Sequence, residues 1–124
     1  DYEEVYDYRN IEVTIDEQGV FKVTMNESLA VALLTNLLKN AFVHNIDEGH
    51  IRITVTKNSI TFRNSGVENP LDKEHIFERF YQGTKKEGST GLGLAIADSI
   101  CRLQHLSIRY YFEQKEHCFE ISRQ

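Results

Sequence analysis

Apolar residues recur along this chain in two rhythms, one of period two and one of three to four, and the switches between them divide it into elements. In "IEVTI" (11–15) and "VFKVTM" (20–25) apolar positions alternate with polar ones around the turn signal "DEQG", which predicts two strands joined as a hairpin. The rhythm then lengthens. In "NESLAVALLTNLLKNAFVHN" (26–45), Ala30, Leu33, Leu34, Leu37, Leu38, Ala41 and Phe42 fall at helical spacing behind a capping residue, Asn26 or Ser28, so a helix with one face in a core is expected. "HIRITVT" and "SITFRNSG", separated by "KN", read as a second hairpin that ends in a loop at Asn64–Ser65–Gly66.

Beyond that loop, residues 67–90 hold the only proline, Pro70, then "KEHIFERFYQ", then "GTKKEGST", which has no apolar period. This predicts a short helix followed by a mobile loop. Helical spacing resumes in "LGLAIADSICRLQ" (92–104), and "LSIRYYFEQKEHCFEISRQ" closes the chain as two strands around a polar turn. Strands grouped with helices in this order fit an α+β fold, a two-layer α/β sandwich whose mostly antiparallel, mixed sheet is covered on one face by helices.

Composition narrows the picture. A chain of 124 residues has the length of a single domain, and 40% hydrophobic with 27% charged residues is usual for a soluble globular protein. No apolar run approaches the roughly 20 residues that span a bilayer. The net charge of −5 argues against a nucleic-acid partner, which would call for clustered lysine and arginine. Cys101 and Cys118 lie too far apart for a CxxC motif and read as two buried thiols, and the five histidines show no metal-ligand spacing. The chain opens on Asp1, and residues 1–9 read as a leader from a preceding segment of a longer protein.

Four stretches could carry chemistry. Asn36 and Asn40 are four apart on the first helix, within about 40° of each other, and His44 continues the same edge. An amide carbonyl is a hard oxygen donor suited to Mg²⁺, although solvent-facing asparagines are also common on helices. "FRNSG" offers Asn64 as a hydrogen-bonding side chain with Gly66 beside it, or an ordinary turn. "IFERFY" (76–81) is dense enough in aromatics to be core. "GSTGLGLAIADSI" (88–100) places Gly91 and Gly93 at a helix entrance, where free backbone N–H groups and the positive end of the helix dipole favour an anion.

Together and in this order, "NLLKNAFVHN", "NSG", "IFERFY" and "GSTGLGLAIADSI" resemble the ATP-binding catalytic domain of sensor histidine kinases, within the Bergerat-fold ATPases that also include gyrase-type topoisomerases, heat-shock chaperones and mismatch-repair ATPases. The resemblance covers residues 20–124 and implies ATP bound between the long helix and a lid at 82–90. It implies that Asn40 coordinates Mg²⁺, that Asn36 sits near the phosphates, that His44 lies beside the nucleotide and that Asn64 accepts from the adenine amino group over Gly66. Gly91, Leu92, Gly93 and Leu94 would follow the triphosphate. Arg79, Lys85 or Lys86 would neutralise charge during phosphoryl transfer, with Phe80 and Tyr81 anchoring the lid. Asn36, Asn40 and Arg79 are thereby the expected catalytic residues.

Three positions depart from the family pattern. Asn64 replaces an aspartate, which keeps the acceptor but removes a charge worth about 1 kcal/mol. "VENPLD" follows Gly66 where a second glycine is usual, so this loop is rebuilt, and Val43 stands where many members have a lysine. The resemblance further implies a phosphoacceptor histidine on a separate dimerisation hairpin, a response regulator downstream, a cytoplasmic site, and a monomeric fragment that binds ATP but turns over poorly. A serine-directed kinase of the same fold and a non-catalytic partner-binding module are the alternatives.

Overall fold

The computed structural model describes residues 9–81 and 91–124. Its elements are β1 (Glu12–Glu17), α1 (Glu27–Val43), β2 (His50–Val55), β3 (Ser59–Asn64), α2 (Gly93–Leu103), β4 (Leu106–Glu113) and β5 (Glu116–Arg123). The strands form one five-stranded sheet in the order β1-β2-β3-β5-β4. β1 runs parallel to β2 and every other pair is antiparallel, which makes the sheet mixed, as expected.

Period two in the strands sends one set of side chains to the helices. Ile53, Phe62, Phe119 and Tyr110 stand in register across four strands, and Phe62, Phe119 and Tyr110 are buried with Leu33 and Leu37 of α1 and Ala97, Ile100 and Cys101 of α2. The opposite face is polar. There Glu116 accepts from His50 and Arg52, Arg63 donates to the Thr54 hydroxyl, and Arg109 pairs with Glu120. Cys101 and Cys118 are both buried and free, and burial pushes each thiol up to about 11.

The capping residue of α1 is Asn26, whose Oδ1 accepts from the N–H groups of Ser28 and Leu29. Asn26→Ala should lower stability by about 1 kcal/mol and the melting midpoint by about 5 °C, read by thermal denaturation followed by circular dichroism. The other end of α1 has no basic residue of its own in the last turn. Arg9 supplies the charge from a distance, donating to the carbonyls of Phe42 and Asn45 and pairing with Asp47.

Two expected elements are corrected. The first hairpin does not form: β1 pairs with β2, and residues 20–25 make no strand. Phe21 and Met25 still turn toward the core, so their alternation reflects packing, while the Lys22 carbonyl is satisfied by the Arg123 guanidinium at 2.9 Å instead of by a strand partner. The short helix expected at 73–82 is replaced, through Tyr81, by successive turns with His75 N–H on Asp72, Glu78 N–H on His75 and Tyr81 N–H on Glu78. Phe80 then adopts a left-handed φ of 65°, which a helix does not continue through. The second and third hairpins form as expected. Gln114 and Lys115 take φ of 52° and 62° at the β4–β5 turn, the geometry that matches strand twist.

Candidate functional site

One cleft opens between α1 and the start of α2, lined by Asn36, Lys39, Asn40, Val43 and His44 on one side and Gly91, Leu92, Gly93, Leu94 and Ile96 on the other, with Tyr81 at its end. Its volume of about 190 Å³ exceeds the roughly 150 Å³ that admits a benzene ring. Asn40, His44, Tyr81 and Leu94 continue into an inner pocket of about 40 Å³ that reaches Asn64, Val67, Leu71, Ile76, His117 and Phe119. Residues from three of the four motifs thus meet at one cleft, and the fourth, through Asn64, lines its inner end.

Each wall has a local cause. The Asn36 Nδ2 donates to the Ala32 carbonyl one turn back, at 2.8 Å, and its Oδ1 lies 3.2 Å from where a Cβ on Gly93 would stand, so the two helices meet at these residues. The Asn40 amide makes no side-chain hydrogen bond to any described residue and is left to face the cleft. Gly91 has φ +75°, and a Cβ there would fall 2.7 Å from the Phe80 Cα. That approach lets the Phe80 N–H donate to the Gly91 carbonyl at 2.6 Å, tying together the two ends of the segment 82–90.

Asn64 is the most constrained polar side chain. It is 2% exposed; its Nδ2 donates to the Ser65 carbonyl at 2.7 Å, which fixes the amide's orientation, and its Oδ1 has no hydrogen-bond partner among the described residues. A buried acceptor left open costs about 1–3 kcal/mol, so a ligand donor reaching the inner pocket beside Asn64 would gain a hydrogen bond there. Gly66 keeps this wall thin. A Cβ there would lie 2.8 Å from the His44 carbonyl oxygen and 3.1 Å from the His117 ring.

The loop after Gly66 is held by a relay. The Val67 carbonyl can only accept, so the His117 Nε2 carries the proton and donates to it at 2.7 Å, and Nδ1 accepts from the Tyr110 hydroxyl at 2.7 Å. The Tyr110 oxygen in turn accepts from the Leu71 N–H at 3.0 Å. Burial pushes the His117 imidazole below its usual range and the Tyr110 phenol above its own, so both groups are neutral and the relay is satisfied at each link.

Not every expected residue reaches the cleft. Phe80 is 67% exposed with the Arg79 guanidinium 5.7 Å over its ring, and neither lines the cleft. Lys85, Lys86 and the lid at 82–90 lie outside the described residues, as do residues 1–8 of the expected leader. Lys39 and His117 went unrecognised. Lys39 was legible, being one helical turn from Asn36 and Val43, whereas His117 becomes a neighbour of Asn64 only through the β3–β5 register.

The sandwich is that of a histidine kinase catalytic domain. The catalytic domain of histidine kinase ThkA in a nucleotide-free form superposes with a TM-score of 0.83 at 26% identity over 97% of this chain and 82% of that one. The family model of histidine kinase-, DNA gyrase B- and HSP90-like ATPases matches residues 25–122, and the chain belongs to that family. Among curated relatives, the sensor histidine kinase RppB of Synechocystis sp. is 42% identical over 84 residues, 60% of this chain and 18% of that protein. The heme sensor protein HssS of Staphylococcus epidermidis is 36% identical over 94 residues, 73% of this chain and 21% of that protein. The chain therefore spans about a fifth of the length of these relatives. Among the described residues no helix is long and apolar enough to cross a membrane.

Proposed function

We propose that this chain is the ATP- and Mg²⁺-binding catalytic part of a sensor histidine kinase, which delivers the γ-phosphoryl group of ATP to a histidine on a dimerisation hairpin elsewhere in the kinase. The observation that carries the reading is the open Asn64 Oδ1, a buried acceptor at the inner end of a cleft that Val67, Leu71, Ile76, Leu94 and Phe119 also line. The 6-amino group of adenine is a donor of the right kind, and Leu71, Ile76 and Phe119 supply an apolar setting for a flat ring.

From that end the nucleotide's phosphates extend outward between α1 and α2, past His44 and Asn36, toward Gly91–Leu94, where α2 begins without a side-chain cap. Backbone N–H groups at a helix start suit phosphate oxygens. The Asn40 amide fits Mg²⁺, since it is an oxygen donor in the cleft with no described side-chain partner, and a metal that keeps most of its waters needs few protein ligands. When bound, the ion neutralises charge on the polyphosphate. The protein's own part is orientation and exclusion of water, which supply most of the acceleration in phosphoryl transfer.

The base contact has a direct test. Inosine triphosphate carries a carbonyl where ATP has its amino group, and would set acceptor against acceptor at Asn64. Competition binding should rank ATP at least about tenfold above inosine triphosphate, whereas equal affinities would remove the assigned role of Asn64. The acceptor has its own assay. Phosphohistidine is lost in acid and phosphoserine is not, so an acid-stable product formed with a kinase hairpin present would favour the serine-directed alternative. ThkA has been solved in complex with the response regulator TrrA, and a response regulator downstream of the present chain is part of the same proposal.

A further inference from the structure

The cleft contains a charge to which the resemblance assigns no role. Lys39 is half-buried on α1 and lines the cleft between Asn36 and Val43. Among the described lining residues there is no aspartate, glutamate or arginine, so Lys39 sets the sign of the site in a chain whose net charge is −5. Every ion pair among the described residues uses some other cation. An ammonium held in a cleft with no carboxylate partner is placed to meet an anion that arrives from solution.

The position of that anion follows from the two ends of the cleft. At the inner end the buried Asn64 Oδ1 has no hydrogen-bond partner among the described residues; on the other wall of the outer part the start of α2, which has no side-chain cap, presents the positive end of its dipole. Val43, one turn beyond Lys39, is 5% exposed and carries no charge, so among the α1 residues lining the cleft Lys39 is the one lysine or arginine. We propose that Lys39 pairs with the polyphosphate of the bound nucleotide, supplying from position 39 the cation that position 43 lacks. The inference rests on the nucleotide reading given above and extends it to a residue of the first motif that the resemblance leaves without a role. A lysine acts on phosphate as a point charge at the end of a flexible stem, so the geometry required of it is loose.

The test compares Mg²⁺-ATP with adenosine, which keeps the base and ribose and drops the phosphates. Calorimetry for ATP and ligand-observed NMR for adenosine would be run on the wild type, Lys39→Met and Lys39→Arg, at low and at moderate salt. Lys39→Met should weaken Mg²⁺-ATP about five- to tenfold, flatten its salt dependence and leave adenosine within about twofold; Lys39→Arg should stay close to the wild type. Unchanged ATP affinity in Lys39→Met overturns the proposal. Equal losses for ATP and adenosine, or an arginine variant as weak as the methionine one, overturn it too, by assigning the effect to packing. A wild type that binds neither ligand brings down the nucleotide reading itself, before any substitution is made.

Discussion

Titrating Mg²⁺-ATP into an Asn40→Ala variant is expected to show affinity lowered on the order of 100-fold, with the remaining binding no longer dependent on Mg²⁺. The magnitude follows from removing the one oxygen ligand that the described residues offer the ion in a cleft it shares with the polyphosphate. The fold should not suffer. Asn40 makes no side-chain bond to a described residue, and alanine is the better helix former, so circular dichroism and melting should match the wild type or improve on it. Asn40→Asp keeps an oxygen in place and should retain Mg²⁺ dependence. If Asn40→Ala binds Mg²⁺-ATP like the wild type, the metal assignment to α1 is wrong.

The largest effect on stability is expected at Asn45, which is 0% exposed and satisfied at both ends of its amide. Its Nδ2 donates to the carbonyls of Ala41 and His50, and its Oδ1 accepts from the Ile46 N–H and from the Ser65 hydroxyl at 2.6 Å. One side chain thus joins the end of α1, the start of β2 and the end of β3, the three places from which His44, Asn64 and Gly66 are hung. Asn45→Ala leaves several of these groups without partners beside a new void, a loss of about 3–4 kcal/mol, or roughly 15–20 °C in melting midpoint. Gly49→Ala attacks the same knot from outside, because a Cβ would fall 2.1 Å from Asn45 Oδ1 and 2.4 Å from Ser65 Oγ. Urea denaturation should place both variants far below the wild type; a shift under 1 kcal/mol in either would show that the network repairs itself.

Where local pattern and local pairing coincide, the chain is readable. The β2–β3 and β4–β5 hairpins, α1 and α2 are each built from neighbours in sequence, and period and turn residues suffice to find them. β1 fails that condition, since its partner lies beyond a 17-residue helix and parallel pairing leaves no turn to announce it. The stretch 73–81 fails differently. Ile76, Phe77 and Tyr81 face the core at helical spacing, but successive turns deliver the same side chains without forming a helix. The site divides along the same line: Asn36, Asn40 and His44 share an edge of one helix and could be grouped by angle alone, while the His117–Tyr110 relay depends on strand register.

The bond from the Phe80 N–H to the Gly91 carbonyl brings together two positions eleven apart in sequence and fastens them at the edge of the cleft. Residues 82–90 are thereby reduced, for the rest of the fold, to a bridge between two piers already in place. Closure entropy rises only with the logarithm of length, by about 0.6 kcal/mol for each doubling, so lengthening the chain between these two positions leaves the rest of the fold nearly as stable as before. The span can diverge in size and composition, or accept a grafted peptide or a fluorophore, on a scaffold that hardly registers the change.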